Sequence, residues 1–438
     1  MPEANDARRG NDPTRTLQRK LYRAAKQSST RRFHALYDKV HRMDVLWRAW
    51  REVARNRGSP GVDGVSIAAI RAAGEESFLL ELRSELREQR YTPLPVKRVA
   101  IPKRSGGERP LGIPALRDRV VQAAAKIVLE PIFEAGFADC SYGFRPLRSA
   151  LQARERVRSG MRQGRRWVVD ADIRGFYDHL SHAQLLAAMR ARVCDQRVLK
   201  LVVSWLQSDV LVGEELLHPM AGTPQGGVIS PLLANVYLDR LDQAWDHARD
   251  GELTRYADDL VVMCRTKRQA EAALERLRTH LRKMGLELSE SKTRIVDCGS
   301  GAEGFDFLGY HFRYRPTKRN RHRYYAATWP SRGSMAAARD RIRQLTPVAR
   351  VGLPAITVVQ GLNVFLRGWG AYFRYGNSTQ QFKHVDRYVV ERLSRLIARK
   401  HGSRNWRRGM VDIIDSRTRL GIYQLAGTVV YPSAQASR

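Results

Sequence analysis

Cysteine is scarce in this chain of 438 residues, and its distribution excludes two common ways of stabilising a domain. The four cysteines are scattered without a C-x-x-C pair; they are Cys140, Cys194, Cys264 and Cys298. Such spacing predicts neither a disulfide framework nor a zinc site. We interpret all of them as ordinary buried thiols.

Long apolar runs are also missing. No stretch reaches the roughly 18 apolar residues that a membrane-spanning helix needs. The first residues, MPEANDARRGNDPTRTLQRK, contain no apolar signal core. We therefore predict a cytoplasmic protein that has no membrane partner.

Acidic residues are strongly outnumbered. Lys and Arg number 77 against 44 Asp and Glu, which gives a formal net charge of +33. This excess is larger than solubility requires, and it predicts a polyanionic partner. Nucleic acid is favoured over an anionic membrane because the chain lacks an apolar anchor. The hydrophobic content of 43% is sufficient for globular domains with true cores.

Strand-like and helix-like segments are mixed along the chain in an order that predicts an α+β fold rather than a doubly wound parallel sheet. Residues 1–30 are polar and basic, and we expect them to form a mobile arm that orders on a polyanion, with simple disorder as the alternative. A short strand pair is expected around LELSESKTRIV and FDFLGYHFR. Basic amphipathic helices in VVQGLNVFLRGWGAYFRY and HVDRYVVERLSRLIARK indicate a separate helical domain.

Two adjacent acids, Asp258 and Asp259, interrupt the apolar run LTRYADDLVVMC. Neighbouring side chains of a regular strand point to opposite faces, so these two can converge only at a turn, which we place at residues 257–259. A second strand, WVVDADI, carries Asp170 and Asp172 on one face near its end. An Asp-bearing turn alone is a common structural device. Two acid-tipped strands, however, predict one shared site.

Clustered carboxylates repel one another unless a cation lies between them. Oxygen ligands without a nearby His or Cys select a hard ion, most simply Mg²⁺, with Mn²⁺ as the alternative. Two such ions about 3.5 to 4 Å apart stabilise the attacking and leaving oxygens of phosphoryl transfer. We therefore predict a two-ion site at Asp258, Asp259 and either Asp170 or Asp172.

Two further segments contain what nucleotidyl transfer requires. A hairpin is predicted around RSGGE, and Lys103 and Arg109 on its opposite arms can project together toward a triphosphate. The loop TPQGGVISP combines a Gly pair, which lets backbone approach a ligand, with a helix start whose free N–H groups suit anionic or polar groups. Considered alone, each segment has a plain surface hairpin or loop as its alternative.

A strongly basic stretch follows Phe307, and no acid occurs from there to Arg339. The cations predicted to contact RNA are Arg313, Arg315, Lys318, Arg319, Arg321 and Arg323. They are interleaved with Phe312, Tyr314, Tyr324, Tyr325 and Trp329. We expect this stretch to contact phosphates and stack on bases rather than to pack a core, with a solvated loop as the alternative.

A series of segments in fixed order resembles the reverse transcriptases encoded by group II introns. The segments are LYRAAK, PGVDG, IPKRSGGERPLGIPALRDR, YGFRP, DADIRGFYDHL, TPQGGVISPLLANVYLD, RYADDLVV, LELSESKT and FLGY. The match runs from about Leu17 to at least Lys400. One segment could arise by chance, whereas the ordered series is highly specific.

The resemblance assigns catalytic roles to individual residues. Asp172, rather than Asp170, matches the first metal ligand. Asp258 and Asp259 match its partners. Tyr177 resembles the steric gate, a ring that would clash with a ribose 2'-hydroxyl and so favours deoxynucleotides. A plain core aromatic is the alternative for Tyr177.

The resemblance also implies substrate contacts. The expected nucleotide-binding residues are Lys103, Arg109, Tyr177, Gln225, Gly226 and Lys292. Tyr256 is expected near the primer end. An ordinary surface lysine is the alternative for Lys292.

The implied fold is a right-hand polymerase, with fingers and an antiparallel palm sheet followed by an α-helical thumb or maturase X domain. The predicted ranges are a basic arm at 1–30, an N-terminal extension with fingers at 31–165, the palm at 166–315, the helical domain at 316–415 and a tail at 416–438.

The implied function is RNA-dependent DNA synthesis by a protein that binds structured group II intron RNA, assists its splicing and copies it into DNA during retrohoming. The expected partners are that intron RNA, a DNA target and primer, and dNTPs. No Cys/His-rich nuclease segment follows the predicted helical domain, so we do not expect autonomous second-strand cleavage. Two alternatives share these motifs: a splicing factor with a relic polymerase site, and a host-adopted relative in defence, CRISPR adaptation or DNA repair.

Overall fold

The computed structural model describes residues 12–102, 107–218, 221–223, 226–299, 301, 303–317, 320, 322–400 and 420–431. The helices are α1 Pro13–Gln27, α2 Tyr37–Val40, α3 Met43–Arg55, α4 Ile67–Ala73, α5 Glu75–Arg87, α6 Leu116–Glu134, α7 Ala150–Arg162, α8 Phe176–His179, α9 His182–Arg190, α10 Gln196–Leu206, α11 Ser230–Ala244, α12 Lys267–Lys283, α13 Arg332–Leu345, α14 Ala355–Phe373 and α15 Thr379–Lys400. The strands are β1 Val96–Pro102, β2 Glu108–Ile113, β3 Trp167–Asp172, β4 Val210–Val212, β5 Glu215–Leu217, β6 Glu252–Tyr256, β7 Asp259–Cys264, β8 Arg294–Asp297, β9 Gly304–Phe307, β10 Tyr310–Pro316 and β11 Tyr324–Pro330.

The chain divides into two compact units that interleave along the sequence. The first contains Met1–Ser149, Ala171–Leu260 and Ala272–Thr293; the second contains Ala150–Asp170, Val261–Glu271 and Arg294–Arg438. Strands β3 and β7 each contribute residues to both units. The consecutive domain ranges predicted above therefore describe a different division, and they stay predictions.

Helix α1 contradicts the expectation that residues 1–30 form a mobile basic arm. The Asp12 carboxylate caps the helix by accepting two backbone N–H groups of its first turn. Leu17 and Leu21 are buried, and the helix packs against α6. The expectation failed because these apolar residues, spaced one helical turn apart, lie among many cations that dominate the composition. Residues 1–11 lie outside the described residues.

Helix α6 forms the centre of the first unit. It is apolar on several sides, as expected for a helix surrounded by others. Its Leu116, Val120, Val128 and Leu129 side chains are fully buried, and α1, α2 and α3 all contact it. Because α6 follows β2 almost directly, its burial fixes the base of the β1–β2 hairpin.

A buried chain of hydrogen bonds joins α6 to the segment before β1. The Tyr91 hydroxyl donates to Asp118 Oδ1 at 2.7 Å, and the Leu94 N–H donates to the other carboxylate oxygen at 3.1 Å. Trp205 Nε1 in turn donates to the Tyr91 hydroxyl oxygen at 3.1 Å. Burial nevertheless dominates, and it raises the pKa of Asp118 to about 6.

We expect Asp118→Asn to remove a pH dependence from the free energy of unfolding. A carboxyl whose pKa rises from 3.8 to about 6 on folding holds its proton more tightly in the folded state. The Asp118 carboxyl therefore stabilises the folded state at low pH. This contribution, about 3 kcal/mol in total, is lost as the pH rises from 3.8 to about 6. Urea unfolding of both proteins at pH ~4.5 and ~7.5 measures the difference. If the free energy of unfolding depends on pH in the same way for wild type and variant, the raised pKa of Asp118 is contradicted.

The predicted hairpin around RSGGE is confirmed by the antiparallel pairing of β1 and β2, in which Ile101 lies opposite Arg109. Gly107 at its turn has a φ of +76°, a conformation that glycine adopts readily. The sheet of these strands has the order β2-β1-β4-β5.

The sheet that carries the acids has the strand order β6-β7-β3-β8. Its edge strand β8 pairs antiparallel with β3, so that Val168 lies opposite Val296. The prediction that the segment containing β8 pairs with FDFLGYHFR was therefore wrong. Short strands carry little information about their partners, because alternation defines a face but not a neighbour.

In the second unit, β9, β10 and β11 form an antiparallel meander in the order β11-β10-β9. Phe305 and Phe312 stack at its buried face with ring centroids 5.0 Å apart. Helices α13, α14 and α15 follow, and α13 packs against both of the others. The first of these helices begins at Arg332, after β11 has completed the meander, and the predicted helical domain at 316–415 stays a prediction.

The described residues form an α+β structure with antiparallel strand pairs and a helical C-terminal part, as predicted. No helix in the described part of the chain is long and apolar enough to cross a membrane.

Candidate active site

The turn that carries the adjacent acids lies where the sequence places it. Strand β6 ends at Tyr256 and β7 begins at Asp259, so Ala257 and Asp258 form the connection. Ala257 has a φ of +56°, which is uncommon for a residue with a side chain. The turn therefore directs Asp258 out of the regular strand geometry, as the convergence of two neighbouring acids requires.

Asp172, the last residue of β3, lies beside this turn. Its negative charge is one of the influences that raise the pKa of Asp258 above its ordinary value; burial of Asp258 is the largest. Asp170, the alternative by spacing, instead accepts a hydrogen bond from Arg294 Nε of β8 at 3.4 Å. Of the two acids at the end of β3, Asp172 is thus the one that interacts with Asp258 within the first unit.

Lys292, in the segment SKT, forms an ion pair with Asp172, with Nζ 2.7 Å from Oδ2. The backbone N–H of Ser289 in the same segment donates to the Asp172 carbonyl oxygen at 2.8 Å. The positive charge of Lys292 also opposes the rise in the pKa of Asp258. The lysine therefore lies at the carboxylates, although its side chain is 66% exposed, and its contact with a nucleotide stays a prediction.

The donor set at this place consists of carboxylate oxygens, which suit a hard divalent cation. Asp259 is exposed, and among the described residues no group of three or more His, Cys, Asp or Glu side chains is gathered tightly enough to hold a metal ion. Burial is the largest cause of the raised pKa of Asp258, and repulsion by the Asp172 carboxylate adds to it. A cation between the two carboxylates would remove this repulsion, so the residues fit a divalent ion chemically.

Arg109 on β2 approaches the same place. Its charge lowers the pKa of both Asp258 and Tyr177, partly offsetting the effect of their burial. Of the two cations predicted to meet a triphosphate, Arg109 is therefore near the acids. Lys103 lies outside the described residues.

Tyr177 is the second residue of the short helix α8, which follows the end of β3 at Asp172, and it is only 8% exposed. Burial, followed by the Asp258 charge, raises the pKa of Tyr177 to about 12, so its phenol is neutral at physiological pH. The ring lines a cavity of about 250 Å³ together with Gly112 of β2 and Thr223. Tyr177 is thus nearly buried and borders open volume between β2 and the loop that contains Thr223.

The loop TPQGGVISP is held to its neighbours by backbone contacts. The Thr223 N–H donates to the Tyr177 carbonyl at 2.8 Å, and the Val228 N–H donates to Gln122 Oε1 of α6 at 2.9 Å. Gly226 lies so close to β2 that an added Cβ would be 2.3 Å from the Gly112 oxygen. No sequence pattern indicates that Gln122 supports this loop. Gln225 lies outside the described residues.

We expect Gly226→Ala to lower kcat/KM for dNTPs by about 10- to 100-fold, because the loop must shift away from β2. Its φ of +121° adds backbone strain to the steric conflict. Gly213→Ala is the matched control: its φ is +63°, and no atom of the described residues lies within 4 Å of the added Cβ. Steady-state primer extension compares the two. Equal effects of both substitutions would show that the contact with Gly112 is unimportant.

Tyr256 is half-buried at the end of β6. Its ring centroid is 6.4 Å from that of Phe144, which is 54% exposed and has a φ of +55°. Phe144 belongs to the segment YGFRP, which the resemblance includes but to which sequence reasoning assigned no role. An exposed aromatic in a strained conformation beside the acids is a feature that only the structure brings out.

The basic stretch after Phe307 is partly structural, contrary to expectation. Phe312 is fully buried, and the Tyr314 hydroxyl donates to the Met161 carbonyl oxygen. Arg313 Nε donates to the Gly301 carbonyl oxygen. Strand alternation explains this difference, because every second residue of β10 must face the core of the meander.

Other members of that stretch remain at the surface. Arg315 is exposed, with its guanidinium carbon 5.6 Å from the Trp329 ring centroid. Arg323, Tyr324 and Tyr325 are exposed. Lys318, Arg319 and Arg321 lie outside the described residues.

Comparisons with known proteins agree with this geometry. A family model described as "Reverse transcriptase (RNA-dependent DNA polymerase)" matches residues 101–312, and one described as "Group II intron, maturase-specific domain" matches residues 335–411. Protein YkfC of Escherichia coli (strain K12) is 35% identical, with 67% of this chain and 87% of that protein covered.

Group II intron-encoded protein LtrA of Lactococcus lactis subsp. cremoris is 27% identical, with 69% of this chain and 60% of LtrA covered. Among solved structures, a chain of the partial Cas6-RT-Cas1–Cas2 complex is 25% identical, with a TM-score of 0.34 and coverage of 57% of this chain and 43% of that chain.

Proposed function

Because the chain belongs to the group II intron reverse transcriptases and maturases, a family of RNA-directed DNA polymerases, we propose that Asp172, Asp258 and Asp259 form its polymerase centre. The family also confirms the predicted fold, a right-hand polymerase followed by a helical domain. The observation that carries the proposal is the interaction of Asp172 with Asp258, two carboxylates from strands distant in sequence.

Divalent cations are general requirements of reverse transcriptases. In this chain we propose two Mg²⁺ ions, with Mn²⁺ as an alternative, held by oxygens of Asp172, Asp258 and Asp259. When bound, such ions stabilise the charge on the attacking and leaving oxygens of phosphoryl transfer. The carboxylate oxygens of Asp172 and Asp258 support a hard cation.

The surrounding residues would orient the substrates. Arg109 carries a fork of N–H donors that suits a triphosphate, and its influence on Asp258 supports a place near the acids. Tyr177 would lie under the sugar and exclude a 2'-hydroxyl, which its position at an open cavity supports. Tyr256 would border the primer end. Lys292, paired with Asp172 here, would exchange that partner for a nucleotide phosphate. Lys103, Gln225 and Gly226 remain expected nucleotide contacts.

The protein acts as a maturase as well as a polymerase, and nucleic acids are its partners. We propose that it binds a structured group II intron RNA, assists its splicing, and copies it at a DNA target and primer during retrohoming. The net charge of +33 supports tight, salt-dependent binding to phosphates. Arg313, Arg315, Lys318, Arg319, Arg321 and Arg323 remain the proposed RNA contacts. Such substrates imply action in the cytoplasm as a ribonucleoprotein.

Primer extension on poly(rA)/oligo(dT) with dTTP and Mg²⁺ tests the polymerase proposal. We expect incorporation that stops when a chelator removes the cation. A purified, folded protein that incorporates no dTTP with either Mg²⁺ or Mn²⁺ would overturn it. Mn²⁺ replaces Mg²⁺ in a parallel reaction to decide which ion supports synthesis.

The two alternative functions are not favoured. A splicing factor with a relic polymerase site would have no need for the acids, yet Asp172 and Asp258 are present and interact. A host-adopted relative would share every motif described above, and the matches to a maturase-specific domain and to an intron-encoded protein favour the intron-associated role.

A further inference from the structure

Arg255, in the middle of the strand that leads into the acid-bearing turn, is a completely buried cation. Its partner is Asp242 of α11, and both side chains have 0% exposure. Arg255 Nε donates to the two Asp242 oxygens at 2.8 and 3.0 Å, and a second guanidinium nitrogen donates to Oδ2. Burial lowers the pKa of Arg255, but its charge and hydrogen-bond interactions with Asp242 raise it more, so the side chain stays charged.

The same guanidinium reaches the turn itself. Its third nitrogen donates to the Ala257 carbonyl oxygen at 3.0 Å and to Asn235 Oδ1 at 3.0 Å. Ala257 is the residue with the positive φ, immediately before Asp258. One planar side chain thus joins helix α11 to the backbone that orients a catalytic carboxylate.

A loop from the segment YGFRP supports the turn from another direction. The Tyr142 N–H donates to the Arg255 carbonyl at 2.9 Å, and Asn235 Nδ2 donates to the Gly143 carbonyl at 2.8 Å. Gly143 lies so close to Ala257 that an added Cβ would be 2.4 Å from its backbone nitrogen. Arg255 and Asn235 therefore link the turn, the loop and α11 into one hydrogen-bonded unit.

Stability alone is a weak reason for such a pair. Removing two charges from water costs about as much as their attraction returns, and well-packed apolar replacements of a buried ion pair are often neutral or stabilising. What apolar side chains cannot supply is a hydrogen-bond donor for the Ala257 carbonyl oxygen. The pair is therefore better explained by the geometry that it imposes than by the free energy of folding.

We propose that Arg255 is a positioning residue for DNA synthesis, held by Asp242 and Asn235 so that it fixes the turn carrying Asp258. This inference rests on the proposed polymerase function. A turn released from Arg255 would shift the Asp258 carboxylate relative to Asp172, whereas Arg109 and the TPQGGVISP loop would keep their places. The loss should then fall on kcat and on the Mg²⁺ concentration needed for half-maximal rate, rather than on KM for dTTP.

The decisive variant combines Arg255→Met with Asp242→Leu, because it removes both charges together and leaves no unpaired ion in the core. We expect a melting temperature close to that of wild type and a kcat for dTTP incorporation about a hundredfold lower. KM for dTTP and the Kd for primer–template duplex should change less than about threefold, because the nucleotide and nucleic-acid contacts lie elsewhere. A folded double variant with wild-type kcat would overturn the proposal.

A second variant keeps the test valid if the double variant does not fold. Asn235→Ala retains the ion pair but removes the link between Arg255 and Gly143. We expect its kcat to fall about tenfold with KM unchanged. Equal losses in kcat and in duplex affinity would indicate a merely structural role and would contradict the proposal.

A matched control uses another ion pair near β6. Arg276 of α12 pairs with buried Asp250 at 2.7 Å, and Arg276→Met should lower stability without changing kcat. If Arg276→Met lowers kcat as much as the Arg255 variant does, general destabilisation explains both losses, and the positioning role of Arg255 is contradicted. If wild type itself makes no DNA, the proposed function fails; if wild type is active and the variants equal it, only the positioning role fails.

Discussion

Asp258→Ala should abolish primer extension, with kcat reduced about a thousandfold or more, while the affinity for RNA and for primer–template duplex stays within about threefold of wild type. The carboxylate lies at the turn between β6 and β7, interacts with Asp172, and is proposed to hold the cations of the reaction. Nucleic-acid affinity, in contrast, arises from many cations spread over the surface.

The measurement pairs single-turnover dTTP incorporation with filter binding of the same protein. Asp258→Asn keeps the size of the side chain and removes its charge, so an equally inactive Asn variant would assign the effect to the charge. Asp38→Ala is the matched control, since Asp38 is an exposed aspartate paired with Lys39 in the same unit. If Asp258→Ala loses RNA affinity as well as DNA synthesis, the cation site and the RNA-binding surface are not separate, and the prediction is contradicted.

Tyr177→Val should admit ribonucleotides, raising the ratio of kcat/KM for rNTPs to that for dNTPs by roughly a hundredfold. The ring is nearly buried and borders a cavity at the predicted sugar position, so a smaller side chain creates room for a 2'-hydroxyl. Incorporation of ATP against dATP on a poly(rU) template measures the change.

Tyr177→Phe is the informative control for this experiment. It preserves the ring and removes only the hydroxyl, whose pKa is raised to about 12 by burial. Discrimination should therefore remain within about threefold of wild type. If the Val variant still rejects ribonucleotides as strongly as wild type, Tyr177 is a core aromatic and another residue provides the gate.

The chemistry proposed for the site is predicted from the sequence alone. Local patterns were sufficient: acids at the ends of apolar strands, a Gly-rich turn between basic arms, and an ordered set of family segments. The turn at residues 257–259 and the β1–β2 hairpin followed from the two-residue period of strands and from the conformational freedom of glycine, both of which are short-range effects. The α+β class followed in the same way, from the order of these patterns.

Features that depend on partners distant in sequence were not accessible. The spacing in the sequence does not distinguish Asp170 from Asp172 as the metal ligand. The family resemblance favours Asp172, and the structure shows that Asp170 instead pairs with Arg294. The packed helix α1 was not predicted, because the many cations in this segment outnumber the two apolar residues that it buries, Leu17 and Leu21. The basic stretch gave no sign that Phe312 belongs to a core.

The Arg255 network is the clearest example of a feature that becomes visible only in the folded chain. In the sequence, Arg255 is one more cation of a strongly basic chain, and nothing marks Asp242 or Asn235 as its partners. Their pairing exists only because α11 packs beside β6 and removes all three side chains from water. A buried guanidinium has no water to accept its hydrogen bonds, so its N–H donors must pair with acceptors of the protein. Burial therefore fixes the orientation of Arg255 and of the groups that it contacts.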